Sequence, residues 1–275
     1  MPCEAHPRRM GRASELAGAI SESLSQWADK RGPCVVRHDV EVPGLDPAHD
    51  GVKIAHVTDL HVGMLTPHRR IRRALELAQA EQPDLMFLTG DFVCYSPRFV
   101  APLAAILGGV HVPAFAVLGN HDHWTDAKGV TAALERNGIV VLSNEHTTVT
   151  LRDRPLDVVG IDDAVTDHHD VARAFAGVKK GRSRIVLTHV PSIADDAADY
   201  GPGLALAGHT HGGHVHIPKV TAHVFKRLGT PYLKGFYDID DLRLYVNCGV
   251  GASSVPIRAG APSEVALFTL RCPSR

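Results

Sequence analysis

Five short apolar runs, each followed directly or after one glycine by a residue that can bind a metal ion, constrain the fold of this sequence more than any other feature. The runs cover residues 52–58, 85–89, 114–118, 184–188 and 204–207. Largely apolar segments of this length are typical of strands that are buried on both faces of a sheet. The sequence therefore predicts five buried strands.

Helical patterns lie between the runs of the first half. Thr66 and Pro67 suit an N-cap and the first turn of a helix, and Asn137 and Gly138 suit the end of a second helix. Apolar residues at helical spacing are Ile71, Leu75 and Ala78 in the first helix and Val130, Ala133 and Leu134 in the second. Strands that alternate with helices predict right-handed βαβ units. Ligands of such sheets gather at the carboxyl ends of the strands, so we expect the residues after the five runs to meet at one edge.

The second half of the chain predicts further sheet structure. Residues 149–161 have the pattern of a hairpin, and residues 242–247 and 264–270 have the pattern of short strands. We assign these segments to a second sheet that packs on the first. The predicted fold class is α/β, a two-sheet α/β/β/α sandwich. We expect it over residues 34–275, after a polar extension at residues 1–33.

Charge and cysteine content exclude several classes of protein. A formal net charge of −1 gives no broad basic surface for bulk nucleic acid. The five cysteines are an odd number without paired spacing, which argues against a disulfide framework or a zinc ribbon and favours a reducing, cytoplasmic location. The first residues carry too many charges for the apolar core of a signal peptide. The longest uncharged stretch, residues 99–121, is broken by proline and glycine and does not predict a membrane span.

The stretch GHTHGGHVHIP, residues 208–218, contains four closely spaced histidines. Alternate side chains of an extended segment leave on the same side, so His209 and His211 can point into one space. Gly208 lets the backbone come close to a ligand. Two imidazoles do not complete a metal site, so the other ligands must come from distant parts of the chain.

Five ordered blocks supply candidate ligands and carry a resemblance to a known family. The blocks are Asp59-x-His61, Gly90-Asp91, Gly119-Asn120-His121-Asp122, His189 and Gly208-His209-x-His211. Together they resemble the motif set of the calcineurin-like metallophosphoesterases. The tail, in which Pro256-Ile257-Arg258 precedes Pro262-Ser263-Glu264, is similar to that of a bacterial subfamily of predicted phosphohydrolases. That subfamily includes membrane-associated phosphodiesterases and UDP-diacylglucosamine hydrolases.

The resemblance implies a centre with two divalent metal ions. Asp59, His61, Asp91 and His211 would hold one ion, and Asp91, Asn120, His189 and His209 would hold the other, with Asp91 as the bridge. Carboxylate, imidazole and amide ligands without thiolate suit Mn, Fe, Zn or Co. Two ions about 3.5–4 Å apart can clamp the attacking and leaving oxygens, and a hydroxide shared by them, with a pKa lowered towards ~7, would be the nucleophile.

His121 and Asp122 lie outside the implied ligand set and are the candidate catalytic residues. We expect His121 to donate a hydrogen bond to a phosphoryl oxygen or to protonate the leaving group. Asp122 is a candidate to orient the imidazole ring of His121.

The sequence departs from the subfamily at two points and leaves two segments open. The residue after Gly213 is usually glutamine in relatives, whereas here it is His214. We also expect this protein to lack the N-terminal membrane or export segment of many relatives. Arg69, Arg70, Arg72 and Arg73 are either a solvated helix face or contacts to a second phosphate or an anionic lipid surface. Residues 223–237 suit either an interface with lipid or a loop packed on the second sheet.

We therefore predict a dinuclear metal-dependent phosphohydrolase that cleaves a phosphodiester or pyrophosphate bond. Its substrate would be a small or lipid-linked phosphoester, and no obligate protein partner is indicated. A cytoplasmic location is expected, with peripheral contact to the inner face of the membrane left open. The alternatives are a phosphomonoesterase, a cyclic-nucleotide phosphodiesterase, and a catalytically inert binding scaffold.

Overall fold

Two six-stranded sheets form the framework of the computed structural model, which describes residues 32–214, 216–217, 220–227, 229–253 and 258–274. The strands of the first sheet are β1 (Cys34–Glu41), β2 (Lys53–Val57), β3 (Leu85–Thr89), β4 (Ala114–Val117), β5 (Val140–Val141) and β12 (Glu264–Arg271). Their order is β1-β12-β2-β3-β4-β5. Strands β2 to β5 are parallel, and β12 is antiparallel to β2. The carboxyl ends of β2, β3 and β4 therefore lie at one edge.

The second sheet repeats this arrangement with parallel strands at its centre. Its strands are β6 (Glu145–Leu151), β7 (Arg154–Gly160), β8 (Ser183–Leu187), β9 (Gly203–Ala207), β10 (Gly235–Ile239) and β11 (Leu242–Val246). The order is β10-β11-β9-β8-β7-β6, with β11, β9, β8 and β7 parallel and the two outer strands antiparallel to their neighbours. The strands β6 and β7 form the hairpin that the sequence predicts.

Five of the helices cover the outer faces of the two sheets. The helices of the described residues are α1 (His68–Ala80), α2 (Val100–Leu107), α3 (Asn120–Thr125), α4 (Ala127–Arg136), α5 (Val171–Ala174), α6 (Ile193–Ala198) and α7 (Val220–Arg227). Buried side chains of α1, α2 and α4 pack on the first sheet, and those of α5 and α6 pack on the second. The predicted apolar stripes of α1 and α4 are buried in this way. The fold is the predicted two-sheet α/β sandwich.

A third apolar layer lies between the two sheets. Ile54 and Phe87 of the first sheet and Val158, Ile185 and Leu204 of the second share this core. The neighbours of Phe87 in β3, Met86 and Leu88, point instead to the helices. Side chains that alternate between two apolar surroundings explain why the strands read as unbroken apolar runs.

The assignment of strands to sheets was wrong for three segments. Residues 264–270 were expected in the second sheet, but β12 lies between β1 and β2 of the first. The runs 184–188 and 204–207 were expected to share one sheet edge with the other three runs, but they form β8 and β9 of the second sheet. A strand that is apolar on both faces fits the centre of either sheet, so the pattern does not specify the sheet.

The predicted N-cap at Thr66 was also wrong. The N-cap of α1 is Pro67, and no side chain caps this helix. The Thr66 hydroxyl instead accepts a hydrogen bond from the backbone N–H of Ala252, at 2.9 Å. It therefore ties the loop before α1 to the loop that follows β11.

Several expectations concern residues at or beyond the limits of the described chain. Residues 1–31, nearly all of the predicted polar extension, and Pro256 and Ile257 lie outside the described residues. The domain boundary at residue 34 stays a prediction. Among the described cysteines, Cys34, Cys94, Cys248 and Cys272 are free thiols. Within the described residues, no helix has the length and apolar character needed to cross a bilayer.

Candidate metal centre

All seven predicted metal ligands meet where the two sheets face each other at one edge. The loops after β2, β3 and β4 bring Asp59, His61, Asp91 and Asn120 from the first sheet, and the loops after β8 and β9 bring His189, His209 and His211 from the second. Ligand atoms lie within 4.8 Å of one another in the group Asp59, His61 and His211 and in the group Asp59, Asp91 and His189. The five clusters converge as expected, but from two sheets instead of one.

The backbone at this edge adopts the left-handed conformation, which residues other than glycine rarely adopt. Five of the predicted ligands have positive φ angles: Asp59 (54°), His61 (46°), Asp91 (55°), His209 (71°) and His211 (51°). Each such residue costs on the order of 1–3 kcal/mol, and strain of this kind gathers at functional sites. The surrounding fold must therefore stabilise these loops.

Asp59, His61 and His211 form the first group. The Nε2 atoms of His61 and His211 are 3.0 Å apart, and Asp59 Oδ1 lies 3.3 Å from His211 Nε2 and 3.7 Å from His61 Nε2. The other oxygen, Asp59 Oδ2, accepts hydrogen bonds from the Thr58 hydroxyl and from the backbone N–H of His209. One oxygen is thus held by the protein, and the other faces the imidazoles.

Asp91 lies between the two groups. Its Oδ1 atom accepts the backbone N–H of His121 at 2.9 Å. Its Oδ2 atom lies 3.4 Å from His61 Nε2 and 3.3 Å from His189 Nε2. Burial raises the pKa of the Asp91 carboxyl, but the charges of His189 and His61 more than offset this and hold the pKa below its usual value. Asp91 is therefore a carboxylate between two imidazoles.

The second group contains His189, His209 and Asn120. His189 Nδ1 donates to the carbonyl oxygen of Thr89 at 2.7 Å, which leaves Nε2 to face Asp91. His209 Nδ1 lies 3.1 Å from Asn120 Oδ1. Burial lowers the pKa of His189, but the nearby Asp91 carboxylate outweighs it and raises the pKa to about 10. In this environment a proton on His189 Nε2 competes with any cation.

These residues fit divalent metal ions. Asp59 Oδ1 and His189 Nε2 are buried and have no hydrogen-bond partner, which is costly unless another group satisfies them. The atoms that face one another are carboxylate, imidazole and amide donors, the set that transition-metal ions accept. A cation would also offset the negative charge of two buried carboxylates.

The two candidate catalytic residues lie in different surroundings. The His121 ring contacts the rings of His61, Trp124 and Tyr95, at centroid distances of 4.9, 5.1 and 5.7 Å. Burial lowers the pKa of His121, so the neutral ring is favoured near pH 7. A neutral imidazole can donate one hydrogen bond to a phosphoryl oxygen.

Asp122 does not make the expected contact with the His121 ring. Its Oδ1 accepts the backbone N–H groups of Phe92 and Val93, and its Oδ2 accepts that of Gly119. Burial raises the pKa of Asp122 to about 7. The expected orienting role was wrong in this respect, because the carboxylate instead joins the loop after β3 to the start of α3.

Sequence reasoning missed two side chains that contact the predicted ligands. Cys94 Sγ lies 2.6 Å from His61 Nδ1, and an amino group of Arg258 lies 2.9 Å from His211 Nδ1. Both contacts involve the ring nitrogen that faces away from the centre. Arginine has only donors, so His211 Nδ1 accepts from Arg258, which differs from the usual outer partner that accepts from a metal-bound histidine. Cys94 carries no sequence signal, whereas Arg258 belongs to the tail motif.

His214, His123, Trp124 and the arginine cluster lie in different surroundings. His214 stacks on His211 with ring centroids 4.5 Å apart. His123 turns away from the centre towards Asp162, with Nε2 2.7 Å from Oδ1, whereas Trp124 is 62% exposed. Of the arginine cluster, Arg70 is buried and Arg69 lines a cavity of about 460 Å³ together with residues 63–68.

The fold and the site together define a metallophosphoesterase. The sequence model described as calcineurin-like phosphoesterase matches residues 52–213, so the chain belongs to this family of phosphoric ester hydrolases. It is 31% identical over 229 residues to the uncharacterized metallophosphoesterase YkoQ of Bacillus subtilis, covering 80% of this chain and 83% of that protein. It is 27% identical over 240 residues to YkuE of the same organism, covering 85% and 84%.

A third relative carries a more specific name. The chain is 28% identical over 229 residues to phosphodiesterase YaeI of Escherichia coli, covering 79% of this chain and 82% of that protein. The matched family region contains every predicted metal ligand and both candidate catalytic residues.

Proposed function

We propose that this protein is a dinuclear metal-dependent phosphohydrolase that cleaves a phosphodiester or pyrophosphate bond. The position of Asp91 carries the proposal, because Oδ2 lies 3.4 Å from His61 Nε2 on one side and 3.3 Å from His189 Nε2 on the other. A single carboxylate between two imidazole groups suits a bridge between two ions. Asp59, His61 and His211 would complete one ion's ligands, and Asn120, His189 and His209 the other's. The donor set suits Mn, Fe, Zn or Co.

The protein's own residues orient the substrate and move protons. When bound, two such ions polarise the phosphoryl group and lower the pKa of the attacking water towards ~7. His121 would donate a hydrogen bond to a phosphoryl oxygen, and in its protonated form it would supply the proton of the leaving group. The bond from the His121 backbone N–H to Asp91 Oδ1, at 2.9 Å, ties this ring to the centre.

The surroundings of the centre support a substrate with both anionic and apolar parts. Arg69 lines the cavity formed by residues 63–69, next to the loop of His61, and could meet a second phosphate. Tyr95 and Trp124, which both contact the His121 ring, are 64% and 62% exposed. Met64 on the cavity wall is also exposed. This combination suits an amphipathic, lipid-linked phosphoester.

Peripheral membrane contact is a further part of the proposal. On α7, Val220 and Val224 are exposed one helical turn apart, and Lys226 and Arg227 follow them. An exposed apolar stripe next to cations suits an anionic lipid surface. In contrast, Leu233 is buried, so part of the segment 223–237 packs on the protein.

A turnover panel with metal analysis tests the proposal. The protein loaded with Mn, Zn or Fe is assayed against an artificial diester, a monoester, a cyclic nucleotide and a nucleotide-diphosphate lipid. We expect about two equivalents of metal and preferred turnover of the diester or the diphosphate. Activity confined to the monoester or the cyclic nucleotide would replace the substrate class. Little metal and no turnover would indicate an inert scaffold.

A further inference from the structure

A second cavity lies at the edge of the second sheet opposite the candidate metal centre. Its walls come from residues 175–184, which lead into β8, and from residues 199–202, which precede β9. The predicted ligands His189 and His209 follow the carboxyl ends of the same two strands. A strand of five residues at about 3.3 Å per residue separates the two sites by roughly 16 Å. The cavity is therefore distinct from the metal centre.

The cavity has the size and the charge of a site for a small anion. Its volume is about 360 Å³, within the range of small-molecule pockets. Lys180, Arg182 and Arg184 line it, and Asp199 is the acidic lining residue. The three cations come from one short stretch, KKGRSR at residues 179–184.

Arg184 is the most informative residue of this cavity. Its exposed fraction is 5%, and one terminal amino group donates to the carbonyl oxygen of Tyr200 at 2.8 Å. The guanidinium lies over the Phe175 ring, 5.3 Å from the centroid. Its Nε atom is buried without a hydrogen-bond partner. A buried guanidinium is stabilised by a nearby anion, and Arg184 is one of the residues that line the cavity.

One oxygen of the neighbouring Asp157 carboxylate is engaged with other groups, and its Oδ2 atom is buried without a hydrogen-bond partner. Asp157 is opposite Arg184 in the pairing of β7 with β8, but its Oδ1 accepts from the Thr148 hydroxyl at 2.7 Å and from Arg182 at 3.3 Å. Within the described residues, no carboxylate lies within ion-pair distance of Arg184. Arg182 is the ion-pair partner of Asp157, whose charge also raises the pKa of Arg184 against the larger lowering by burial. Lys180 therefore keeps its charge for a ligand, and Arg184 is only partly balanced.

One wall of the cavity is aromatic. The rings of Phe175 and Tyr200 stack with centroids 4.3 Å apart and an interplanar angle of 16°. Tyr200 lines the cavity and is 40% exposed, so its ring can contact an apolar or planar part of a ligand.

We propose that this cavity binds a phosphate-bearing small molecule, with the phosphate held by Lys180 and Arg184 and an apolar or planar group against Tyr200. Binding there is separate from hydrolysis at the metal centre. The inference does not depend on the proposed function.

Calorimetric titration of the full-length, metal-loaded protein tests this site. The probes are inorganic phosphate, a phosphonate analogue of AMP that cannot be hydrolysed, and phosphatidylcholine vesicles that contain phosphatidic acid. We expect the analogue to bind in two events, one at each site. Lys180→Glu should weaken one event by about tenfold or more, as expected for loss of a charged contact. Lys179→Glu is the matched control, because this exposed neighbour does not line the cavity, and it should change little.

Further variants separate this site from the metal centre. Asp91→Ala should abolish the binding event at the metal centre and leave the event at the second cavity unchanged. The test of the second cavity therefore stays valid even if the proposed function is wrong. Arg184→Gln, checked for folding by circular dichroism, should act like Lys180→Glu. If Arg184→Gln misfolds, the result with Lys180→Glu alone tests the proposed site. Two results would overturn the proposal. One is that Lys180→Glu binds the probes as tightly as the wild-type protein. The other is that only the vesicles bind and that Lys180→Glu and Lys179→Glu weaken this binding equally.

Discussion

Four of the predicted ligands use one polar atom to face the centre and another to hold their own position. Asp59 does this with its two oxygens, and His189 with its two ring nitrogens, since Nδ1 donates to the Thr89 carbonyl. His61 and His211 are held through Nδ1 by Cys94 and Arg258. Acceptors such as the Thr89 carbonyl fix the orientation of a ligand before a cation arrives, whereas Arg258 holds His211 as a donor. The geometry is thus set by the protein at the scale of single atoms.

The different surroundings of Asp91 and His121 predict different losses. Asp91→Ala should remove tight binding of both ions, because Asp91 Oδ2 lies within 3.4 Å of a candidate ligand of each. His121→Ala should reduce kcat by about 10²–10⁴-fold, the range for a positioned acid–base group, while metal content stays unchanged. Elemental analysis and steady-state kinetics on the same preparations measure both.

The matched control is His111→Ala, an exposed histidine outside the site. It should retain wild-type metal content and kcat. If His121→Ala strips the metal, the division of roles between ligand and catalytic group is wrong.

The pair of His123 and Asp162 predicts a pH-dependent contribution to stability. Burial lowers the pKa of His123, but the Asp162 carboxylate outweighs it and raises the pKa above the usual 6.5. Burial likewise raises the pKa of Asp162, but His123 outweighs it and lowers the pKa below 3.8. The pair therefore stabilises the fold between these ordinary values. Its contribution is lost as pH rises through the raised His123 pKa or falls through the lowered Asp162 pKa.

Asp162→Asn tests this contribution. The difference in free energy of unfolding between wild type and variant should be larger at about pH 5.5 than at about pH 8.5, by roughly 1 kcal/mol. Urea unfolding followed by circular dichroism measures it. A difference that is constant with pH would show that the two side chains do not interact as ions.

Most of the site could be predicted at the level of residue identity, but not its outer contacts. Asp59, His61 and Asp91 follow strands in ordered motifs, so their meeting place follows from the sheet rule. The contact of Cys94 with His61 depends on how two loops pack, and no spacing encodes it. The carboxylate of Asp122 was misjudged because backbone N–H groups outcompeted the His121 ring for it.

At the scale of elements, a close approach of loops brings the ligands together. Gly208 links β9 to His209, and a Cβ at this position would lie 2.2 Å from Thr58 Oγ1 and 2.4 Å from Asp59 Oδ2. The loop after β9 can therefore contact the loop after β2 only because residue 208 has no side chain.

Gly208→Ala should separate these loops. We expect a loss of roughly 1–3 kcal/mol in the free energy of unfolding, as for overpacking, together with lower metal content, because Asp59 is displaced. Gly109→Ala is the control, since its Cβ would meet only a carbonyl oxygen at 3.5 Å. Wild-type metal content and stability in Gly208→Ala would contradict the close approach.

The bounds of single strands were predicted more accurately than the neighbouring strands with which they pair. The run 85–89 matches β3 in both bounds, because apolar content and length suffice to predict a buried strand. The place of β12 between β1 and β2 could not be predicted, because Val265 faces the helices and Phe268 faces the other sheet. Either sheet would bury such a strand equally well.

At the scale of the whole molecule, the candidate centre joins the two sheets. Asp59, Asp91 and Asn120 come from the first, and His189 and His209 come from the second. Without a cation, Asp59 Oδ1 and His189 Nε2 are buried without partners across this junction. Metal binding should therefore stabilise the packing of one sheet on the other.

This role predicts that metal raises the melting temperature of the protein. An ion that binds only the folded state adds about 2.7 kcal/mol at a concentration of 100 times its Kd, which corresponds to roughly 5–10 °C for a domain of this size. Calorimetry of chelator-treated and manganese-loaded protein measures the shift. Asp91→Ala should lose it, whereas His111→Ala should keep it, because the first variant lacks the proposed bridge and the second is altered only on the surface. If wild-type protein binds two ions and melts at the same temperature with and without them, the metals do not couple the sheets.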